Sequence, residues 1–363
     1  MTISFSGTSG LTFPDNSTQA TAATGFGFKN RIINGAMVID QRNAGASVAM
    51  TGGIYITDRW RSYASVASKL TAQQSSTSST GFVNSLLFTS QSAYTQSATD
   101  EFLIEQRIEG LNVSDLAWGT ANAASITISF QVRCSVTGTF SGSVSNSSQD
   151  RNYPFTFSIN SANTFETKSV TIAGDTSGTW LTTNGIGIRV KFNLGTGSTY
   201  LQTAGAWTSS YANGATGSVA LVNTNGATFY ITGVQLEKGS TATSFDYRPY
   251  GTELALCQRY YEKTLSQGAT SSSGQTSGAL TAIAATTTVL AAQWTFKQTK
   301  RTTPTLTLSS FNGTAGSWAN GSNTDFAVTQ PWGVGDNGFA RLDSTGMTAG
   351  AYYWGFAVAS AEL

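Results

Sequence analysis

ATFYITGVQLEKGSTATSFDYRPYGTELALCQRYY, residues Ala227–Tyr261, contains the strongest predicted strand of the chain and the boundary between two predicted domains. From Thr228 to Gln235 the run carries no charge and is rich in β-branched and aromatic residues. Such a run is typical of a strand that neighbouring strands cover on both sides. We therefore predict that Thr228–Gln235 is a central strand of a sheet.

A short helix is predicted soon after this strand, where one domain ends and the next begins. Gly239 signals a turn, and the segment Pro249–Gly251 ends the extended chain. Thr252, with Glu253 close behind it, is expected to cap the helix. One face of the helix would then carry Leu254, Cys257 and Tyr261.

Residues 30–251 alternate short strand-like runs with clusters of Gly, Ser and Asn, and no long amphipathic helix interrupts them. This pattern favours an antiparallel β-sandwich over repeated βαβ units. We predict an all-β fold with a jelly-roll-like sandwich over these residues. Its candidate strands are Ala36–Gln41, Trp60–Ala64, Phe82–Thr89, Glu101–Ile108, Ser125–Val136, Thr139–Ser145, Tyr153–Ile159, Phe165–Ile172, Gly187–Asn193 and Thr228–Gln235.

Two of these strands alternate in polarity, which predicts one buried and one outward face. In the strand Glu101–Ile108, Gln106 is a polar residue on the otherwise apolar face. That face carries Phe102, Ile104, Gln106 and Ile108, and the other face carries Leu103, Glu105 and Arg107. In the strand Ser125–Val136, apolar Ile126, Ile128, Phe130 and Val132 alternate with Thr127, Ser129, Gln131 and Arg133.

A second, smaller β domain is predicted over residues 279–363. A connecting helix and a polar linker are expected before it, over residues 252–278. Trp318 and Trp332 are expected in the loops of this domain. Its candidate strands are Thr287–Phe296, Thr303–Ser309, Asp325–Val328, Phe339–Leu342 and Ala351–Ala359.

The composition excludes several classes of protein. Charged residues make up 11% of the 363 residues, against ~25% in an average soluble domain. The net charge is +1 and Lys and Arg form no long runs, so we expect no nucleic-acid partner. No apolar run reaches about 18 residues, so we expect no membrane insertion. Cys134 and Cys257 lack metal-ligand spacing; we expect buried free thiols, with a disulfide as the alternative.

Residues 1–29 form a predicted extended segment for attachment and oligomerisation. The segment is rich in Ser, Thr, Gly and Ala and has too few large apolar residues to fold alone. We expect it to become ordered against partner chains, with a solvated linker as the alternative. The apolar residues spaced through it as candidate anchors are Phe5, Leu11, Phe13, Phe26 and Phe28.

Several stretches resemble fibre and appendage proteins of tailed bacteriophages. FYITGVQLEKGS, FDYRPY and ELALCQRYYEK, all within Phe229–Lys263, resemble the end of a β-sandwich module of that family, which itself resembles a carbohydrate-binding jelly roll. QTKRTTPTLTL and YYWGFAVASAEL resemble the small C-terminal β module that follows this sandwich. The resemblance extends upstream to Gly10–Ala23, Asn30–Gly45, Tyr55–Trp60, Ile104–Gly110 and Gly174–Gly195.

The resemblance implies a virion structural protein, such as a tail fibre, assembled in the host cytoplasm and exposed on the particle surface. It implies a homotrimer that contacts other virion proteins through residues 1–29. The predicted function is host attachment, by receptor binding to a bacterial surface glycan without catalysis. The alternative is a purely architectural capsid or tail decoration protein that contacts other virion proteins and no glycan.

Aromatic rings in loops are the candidate glycan-binding residues, because the C–H faces of sugars stack on flat rings beside hydrogen-bonding Asn, Gln and Ser. A long predicted loop, Tyr200–Gly214, contributes three rings, and the second domain contributes two. Trp207 has an alternative interpretation as a plug over the end of the sandwich. The five candidates are Tyr200, Trp207, Tyr211, Trp318 and Trp332.

Catalysis is not expected, because the chain has no histidine and so lacks the commonest general base. Carboxylates remain available, but no spacing indicates a pair held ~5 to 9.5 Å apart for glycoside hydrolysis. We predict no cofactor and assign no metal; a structural calcium near Glu237 and Asp246 is the weak alternative. The available carboxylates of the first domain are Asp58, Asp100, Glu101, Glu105, Glu109, Asp150, Asp175, Glu237 and Asp246.

Overall fold

The computed structural model describes Leu11–Thr12, Thr18–Gln19 and residues 28–269 and 277–363. Most of the predicted attachment segment, including Phe5, Phe13 and Phe26, and residues 270–276 of the predicted linker lie outside the described residues. Within the described ranges the chain is almost entirely β. No helix there is long and apolar enough to cross a membrane.

The strands of the N-terminal part are β1 (Leu11–Thr12), β2 (Thr18–Gln19), β3 (Val48–Ala49), β4 (Gly52–Thr57), β5 (Trp60–Ala64), β6 (Leu70–Ser75), β7 (Ser85–Ser90), β8 (Phe102–Glu109), β9 (Ile126–Cys134), β10 (Gly138–Ser145), β11 (Asn152–Ile159), β12 (Glu166–Ile172), β13 (Ile186–Asn193), β14 (Leu201–Gln202), β15 (Gly214–Ala215) and β16 (Thr228–Lys238). Short 3-10 helices span Gly110–Asn112, Ser114–Leu116, Ser198–Tyr200 and Leu221–Asn223.

The C-terminal part contains α1 (Tyr250–Gln258), β17 (Tyr261–Lys263), β18 (Leu280–Ala284), β19 (Val289–Ala291), β20 (Trp294–Thr295), β21 (Thr305–Ser310), β22 (Ser317–Asn320), β23 (Asp325–Trp332), β24 (Gly338–Phe339), β25 (Arg341–Ser344) and β26 (Tyr352–Ser360).

Two six-stranded antiparallel sheets form the predicted jelly-roll-like sandwich. The front sheet has the order β11-β10-β13-β8-β5-β4, and the back sheet has the order β12-β9-β16-β7-β6-β3. The inward side chains of both sheets form one apolar core, because alternate residues of each strand point between the sheets. Large members of this core are Trp60, Phe88, Phe102, Phe130, Phe140 and Phe192.

β16 is the central strand that the sequence predicts, since it pairs with β9 on one side and β7 on the other. The pairing with β9 shifts register between Thr232 and Gln235. Gly233 lies in this irregularity at φ +59°, and an added Cβ would lie 2.5 Å from the Phe82 ring. Glycine therefore allows the irregularity and the close packing of Phe82 over it.

The two predicted faces of β8 are present, but the second face is not open to solvent, since Leu103 and Glu105 on it are also buried. Phe102, Ile104 and Ile108 are buried in the core of the sandwich. Gln106, the polar residue on that face, accepts a hydrogen bond from the Ile33 N–H (2.7 Å) and donates one to the Ile33 carbonyl (2.8 Å). The outer face of the same strand faces the groove described below.

The predicted strand Ala36–Gln41 is wrong, because this segment folds around a buried asparagine. The amide nitrogen of Asn34 donates to the carbonyls of Ile39 (2.8 Å) and Asp58 (2.9 Å). Asn34 and Met37 both have φ 57°, which no strand allows. The sequence analysis also missed β3, β4 and β6 in the first half of the chain.

The helix is present but its predicted cap is wrong. α1 begins after Pro249, which is its N-cap, so Thr252 lies inside the helix, and Tyr261 begins β17 instead of sharing a helix face. Cys134 and Cys257 are buried free thiols, as the sequence predicts.

The C-terminal strands form a separate sheet in the order β17-β26-β18-β19-β25-β23-β22, with its own apolar core. β26 organises this sheet, because it pairs with β17, β18, β21 and β22. β17 comes from the predicted connecting segment, residues 252–278. The predicted domain boundaries themselves stay predictions.

The last residues connect this sheet to the sandwich. The Glu362 carboxylate forms ion pairs with Arg59 and Arg42. The Leu363 carbonyl oxygen accepts hydrogen bonds from Arg107 Nη1 (2.6 Å) and the Tyr55 hydroxyl (3.1 Å). The side chain of Arg59 is 1% exposed, so Glu362 is a neutralising partner of a fully buried charge.

We predict that Glu362→Gln lowers the free energy of unfolding in urea by about 3 kcal/mol, because it leaves the buried Arg59 guanidinium without a counter-charge. Asp115→Asn is the matched control. Asp115 pairs with Arg31 at 3.0 Å but its side chain is 44% exposed, so we expect a loss below about 1 kcal/mol. Equal losses in the two variants would contradict this role for Glu362.

Candidate functional site

A groove of about 210 Å³ opens on the outer face of the front sheet. Three adjacent strands form the floor of the groove. Arg61 on β5 lies opposite Glu105 on β8, and Glu105 lies opposite Lys191 on β13. We call this site the charged groove. Its lining residues are Arg61, Tyr63, Glu101, Leu103, Glu105, Arg107, Gln149, Arg189, Lys191 and Tyr211.

Glu105 is the centre of the charged groove. Its carboxylate, 2% exposed, forms ion pairs with Arg61 (2.6 Å), Arg107 (2.7 Å) and Arg189 (3.3 Å). Burial alone would raise the pKa of Glu105, but the surrounding arginines outweigh burial and lower it to about 2. Glu105 is therefore ionised at neutral pH and fixes three guanidinium groups at the floor of the groove.

Lys191 is a buried cation that has no ion pair within the described chain. Its ammonium donates to Gln149 Oε1 (2.8 Å) and Asn213 Oδ1 (2.9 Å), and lies 4.6 Å from the centroid of the Tyr211 ring. Burial lowers the pKa of Lys191 to about 7, although the nearby Glu105 acts in the opposite direction. The protonation of this lysine therefore changes around neutral pH.

One wall of the charged groove comes from the loop that the sequence analysis identified, Tyr200–Gly214. The loop covers the outer face of β10, where the Ser143 hydroxyl donates to the Ala212 carbonyl (2.8 Å). The Tyr211 hydroxyl donates to Glu101 Oε2 (2.8 Å), and the Tyr211 ring packs edge-on against Tyr200 with centroids 5.0 Å apart. Two of the predicted glycan-binding residues therefore lie together, and Tyr211 lines the groove directly.

Trp207, the third ring of this loop, lies in a separate aromatic cluster. Its ring centroid is 5.3 Å from Tyr153, 5.4 Å from Trp118 and 5.5 Å from Trp180. Its indole N–H donates to the Ala173 carbonyl (2.9 Å). The cluster packs against the sandwich core, so the geometry favours the plug interpretation over ligand contact.

Trp318 and Trp332 lie in β22 and β23, which corrects their predicted location in loops. Trp318 has 0% exposure, and its ring packs against Gly355, where an added Cβ would lie 2.4 Å from its Cδ1 atom. A ring with no exposed face cannot stack on a sugar. Trp332, at the end of β23, is 47% exposed, with the Arg341 guanidinium 4.7 Å from its ring centroid, so it keeps an accessible face.

The carboxylates considered for calcium are hydrogen-bonded within the protein. Glu237 accepts from the Thr243 N–H (2.8 Å) and hydroxyl (2.7 Å), and Asp246 accepts from the Lys29 N–H (3.0 Å). No group of three or more Cys, Asp or Glu side chains that could hold a metal ion occurs in residues 28–269 or 277–363.

The sequence analysis missed most of the charged groove. It placed Glu105 and Arg107 on the outer face of their strand, considered Glu105 only as one of the available carboxylates, and assigned Arg107 no role. Arg189 and Lys191 alternate with core residues on β13 in the same way, and that alternation was the available signal. Strand order was needed to bring β5, β8 and β13 side by side.

No protein-family model and no curated protein matches this chain. Among solved structures, the enzymatically active domain of tailspike protein 4 of bacteriophage CBA120 is 11% identical and covers 58% of this chain, with a TM-score of 0.30. This chain spans 21% of that structure.

Two bacterial structures are also similar. A candidate sugar-binding protein of Bacteroides thetaiotaomicron is 14% identical over 58% of this chain and 99% of its own, with a TM-score of 0.34. A family 11 carbohydrate-binding module of Clostridium thermocellum, solved with a mixed-linked tetrasaccharide, is 10% identical over 55% of this chain and 98% of its own, with a TM-score of 0.27.

We predict that Trp207→Ala lowers the free energy of unfolding by about 2–3 kcal/mol, because it removes a partly buried ring from a cluster of four aromatic residues. Trp332→Ala, at an exposed ring, should change it by less than about 1 kcal/mol. Unfolding in urea measures both. If Trp207→Ala is as stable as the unaltered protein but binds glycan less tightly, Trp207 belongs to the binding site.

Proposed function

We propose that this protein is a non-catalytic glycan-binding protein and that the charged groove is its binding site. The groove on the front sheet is the observation that carries the proposal. Tyr63 and Tyr211 line it beside the amide of Gln149 and a fixed set of charged groups. Aromatic rings with a few oriented polar groups in a concave site are the usual means of holding a polar ligand.

The groove is organised in advance of binding. Glu105 fixes the arginines of the floor, and Glu101 fixes Tyr211 through its hydroxyl. Side chains already held in one conformation lose little entropy when a ligand arrives, so more of the contact energy remains for affinity. A rigid, hydrogen-bonding surface of this kind suits a sugar, whose hydroxyls need several oriented partners.

The Glu105 carboxylate at the centre of the groove is poorly suited to glycoside hydrolysis. That reaction requires one carboxylic acid that is protonated near neutral pH and a second carboxylate on the other side of the bond. The pKa of Glu105 is lowered to about 2, and three arginines occupy its oxygens. Glu105 is therefore neither a proton donor nor an accessible nucleophile, which supports binding without turnover.

The biological setting that we propose is a tailed-phage particle. The sequence resemblance to fibre and appendage proteins supports a virion structural protein, exposed on the particle and acting in host attachment. A homotrimer, joined to other virion proteins through residues 1–29, would present three copies of the groove. Several weak sites on one particle give strong overall attachment through their effective concentration.

Binding of the full chain to an array of bacterial surface glycans, followed by calorimetry on the bound glycans, tests the proposal. We expect Tyr63→Ala and Tyr211→Ala to weaken binding at least about tenfold, equivalent to about 1.4 kcal/mol. Tyr352→Ala, at a tyrosine that is 54% exposed in the C-terminal sheet, is the matched control and should bind normally. Urea unfolding of each variant verifies that it is folded.

Three results would contradict the proposal. A chain that binds no glycan on the array favours the architectural alternative, in which the sandwich contacts other virion proteins. If both groove variants bind as tightly as the unaltered protein, the binding site lies elsewhere. Loss of binding in Trp332→Ala would then assign the site to that exposed ring. Release of new reducing ends from a bound glycan would identify an enzyme.

A further inference from the structure

The charged groove has more positive than negative charge. Arg61, Arg107, Arg189 and Lys191 face two carboxylates, Glu101 and Glu105, so the groove carries a net charge of +2 when Lys191 is protonated and +1 when it is not. The whole chain has a net charge of only +1. The groove therefore carries a local positive charge at least as large as that of the whole chain, in a concave site where a charged ligand is screened least.

The four cations differ in how many donors remain for a ligand. Each nitrogen of the Arg107 guanidinium already has a partner in the protein, since Nε and Nη2 contact Glu105 and Nη1 donates to the Leu363 carbonyl oxygen (2.6 Å). Lys191 is 1% exposed and donates to Gln149 and Asn213. Both cations are therefore held mainly by partners within the protein.

Arg61 and Arg189 are less occupied. Within the part of the chain that the structure describes, Arg61 makes one hydrogen bond, from Nη1 to Glu105 (2.6 Å), and its side chain is 18% exposed. Arg189 makes two long bonds, 3.3 Å from Nη1 to Glu105 and 3.4 Å from Nη2 to the Ser147 carbonyl, and its side chain is 11% exposed. A guanidinium with unused donors suits the paired oxygens of a carboxylate.

The backbone beside Arg61 is shaped to admit its guanidinium. Gly53 on β4 lies next to it, and a Cβ at this position would be 1.6 Å from Arg61 Nη2 and 2.2 Å from Cζ. The guanidinium therefore lies directly against the glycine backbone. Any larger residue at position 53 would have to displace Arg61 from its place beside Glu105.

We propose that the ligand of the charged groove is an acidic glycan, with Arg61 and Arg189 binding the carboxylate of one of its sugars. This inference rests on the proposed function, since it names the class of glycan that the groove takes. Tyr63 and Tyr211 line the same groove and are placed to contact the sugar ring. The arginines then select charged sugars over neutral sugars of the same shape.

The probe is a set of galacturonic acid oligomers together with their methyl esters, which keep the shape of the sugar and remove its charge. A glycan array with other carboxylated sugars, phosphorylated sugars and their neutral counterparts extends the comparison. We expect the full chain to bind carboxylated members at least about tenfold more tightly than their neutral partners. Raising the salt concentration should weaken this binding, because ions screen the attraction.

Two variants test the role of Arg61. Arg61→Gln removes the charge, and Gly53→Ala displaces the guanidinium without removing it; both should reduce the preference for acidic sugars at least about fivefold. Arg31→Gln is the matched control, because Arg31 pairs with Asp115 and does not line the groove. Unfolding curves verify that all three variants fold. If Arg61→Gln does not fold, Gly53→Ala still tests the role of Arg61.

The outcomes separate this inference from the proposed function. If the groove binds neutral glycans as tightly as acidic ones, the inference is overturned and the proposed function is left intact. A preference for phosphorylated over carboxylated sugars also overturns the inference. An unchanged preference for acidic sugars in Arg61→Gln and Gly53→Ala does the same. Absence of binding to any glycan overturns both.

Discussion

The ion pairs between the Glu105 carboxylate and the three arginines around it are the interaction on which the proposed binding surface depends. A carboxylate in the middle of a sheet, almost without solvent contact, would be costly if it were unpaired. Arg61, Arg107 and Arg189 remove this cost, and Glu105 in turn holds their guanidinium groups in fixed positions. The same ion pairs therefore stabilise the outer face of the sheet and prepare it for a ligand.

This arrangement also links the two parts of the chain. Arg107 contacts Glu105 through one side of its guanidinium and the Leu363 carbonyl through Nη1. Glu362, the residue before, neutralises the buried Arg59. The end of the C-terminal sheet is thus packed at the border of the surface that contains the groove.

Much of the fold could be predicted from the sequence, because alternation along a strand is a local property. β5 was predicted with correct bounds, β8 with correct faces, and β16 as a central strand. The segment Ala36–Gln41 was predicted wrongly, because a single buried side chain, Asn34, replaces the strand partners that its apolar residues indicate.

The proposed binding site was less predictable, for two physical reasons. Its floor depends on the order of strands in the sheet, which alternation within each strand does not determine. Its rings were predicted from loop position, yet Trp207 packs in an aromatic cluster and Trp318 is buried in β22. Tyr211, a predicted glycan-binding residue, lines the charged groove. Arg61 and Arg189 were not predicted, because isolated arginines on separate strands form no motif.

The most direct measurement is a crystal structure of the full chain with the oligosaccharide that binds most tightly on the array. Our account predicts a sugar in the charged groove, in contact with Tyr63 or Tyr211 and with an acidic group within hydrogen-bonding distance of Arg61. A sugar bound at Trp332 or on another surface, with the groove empty, would contradict it.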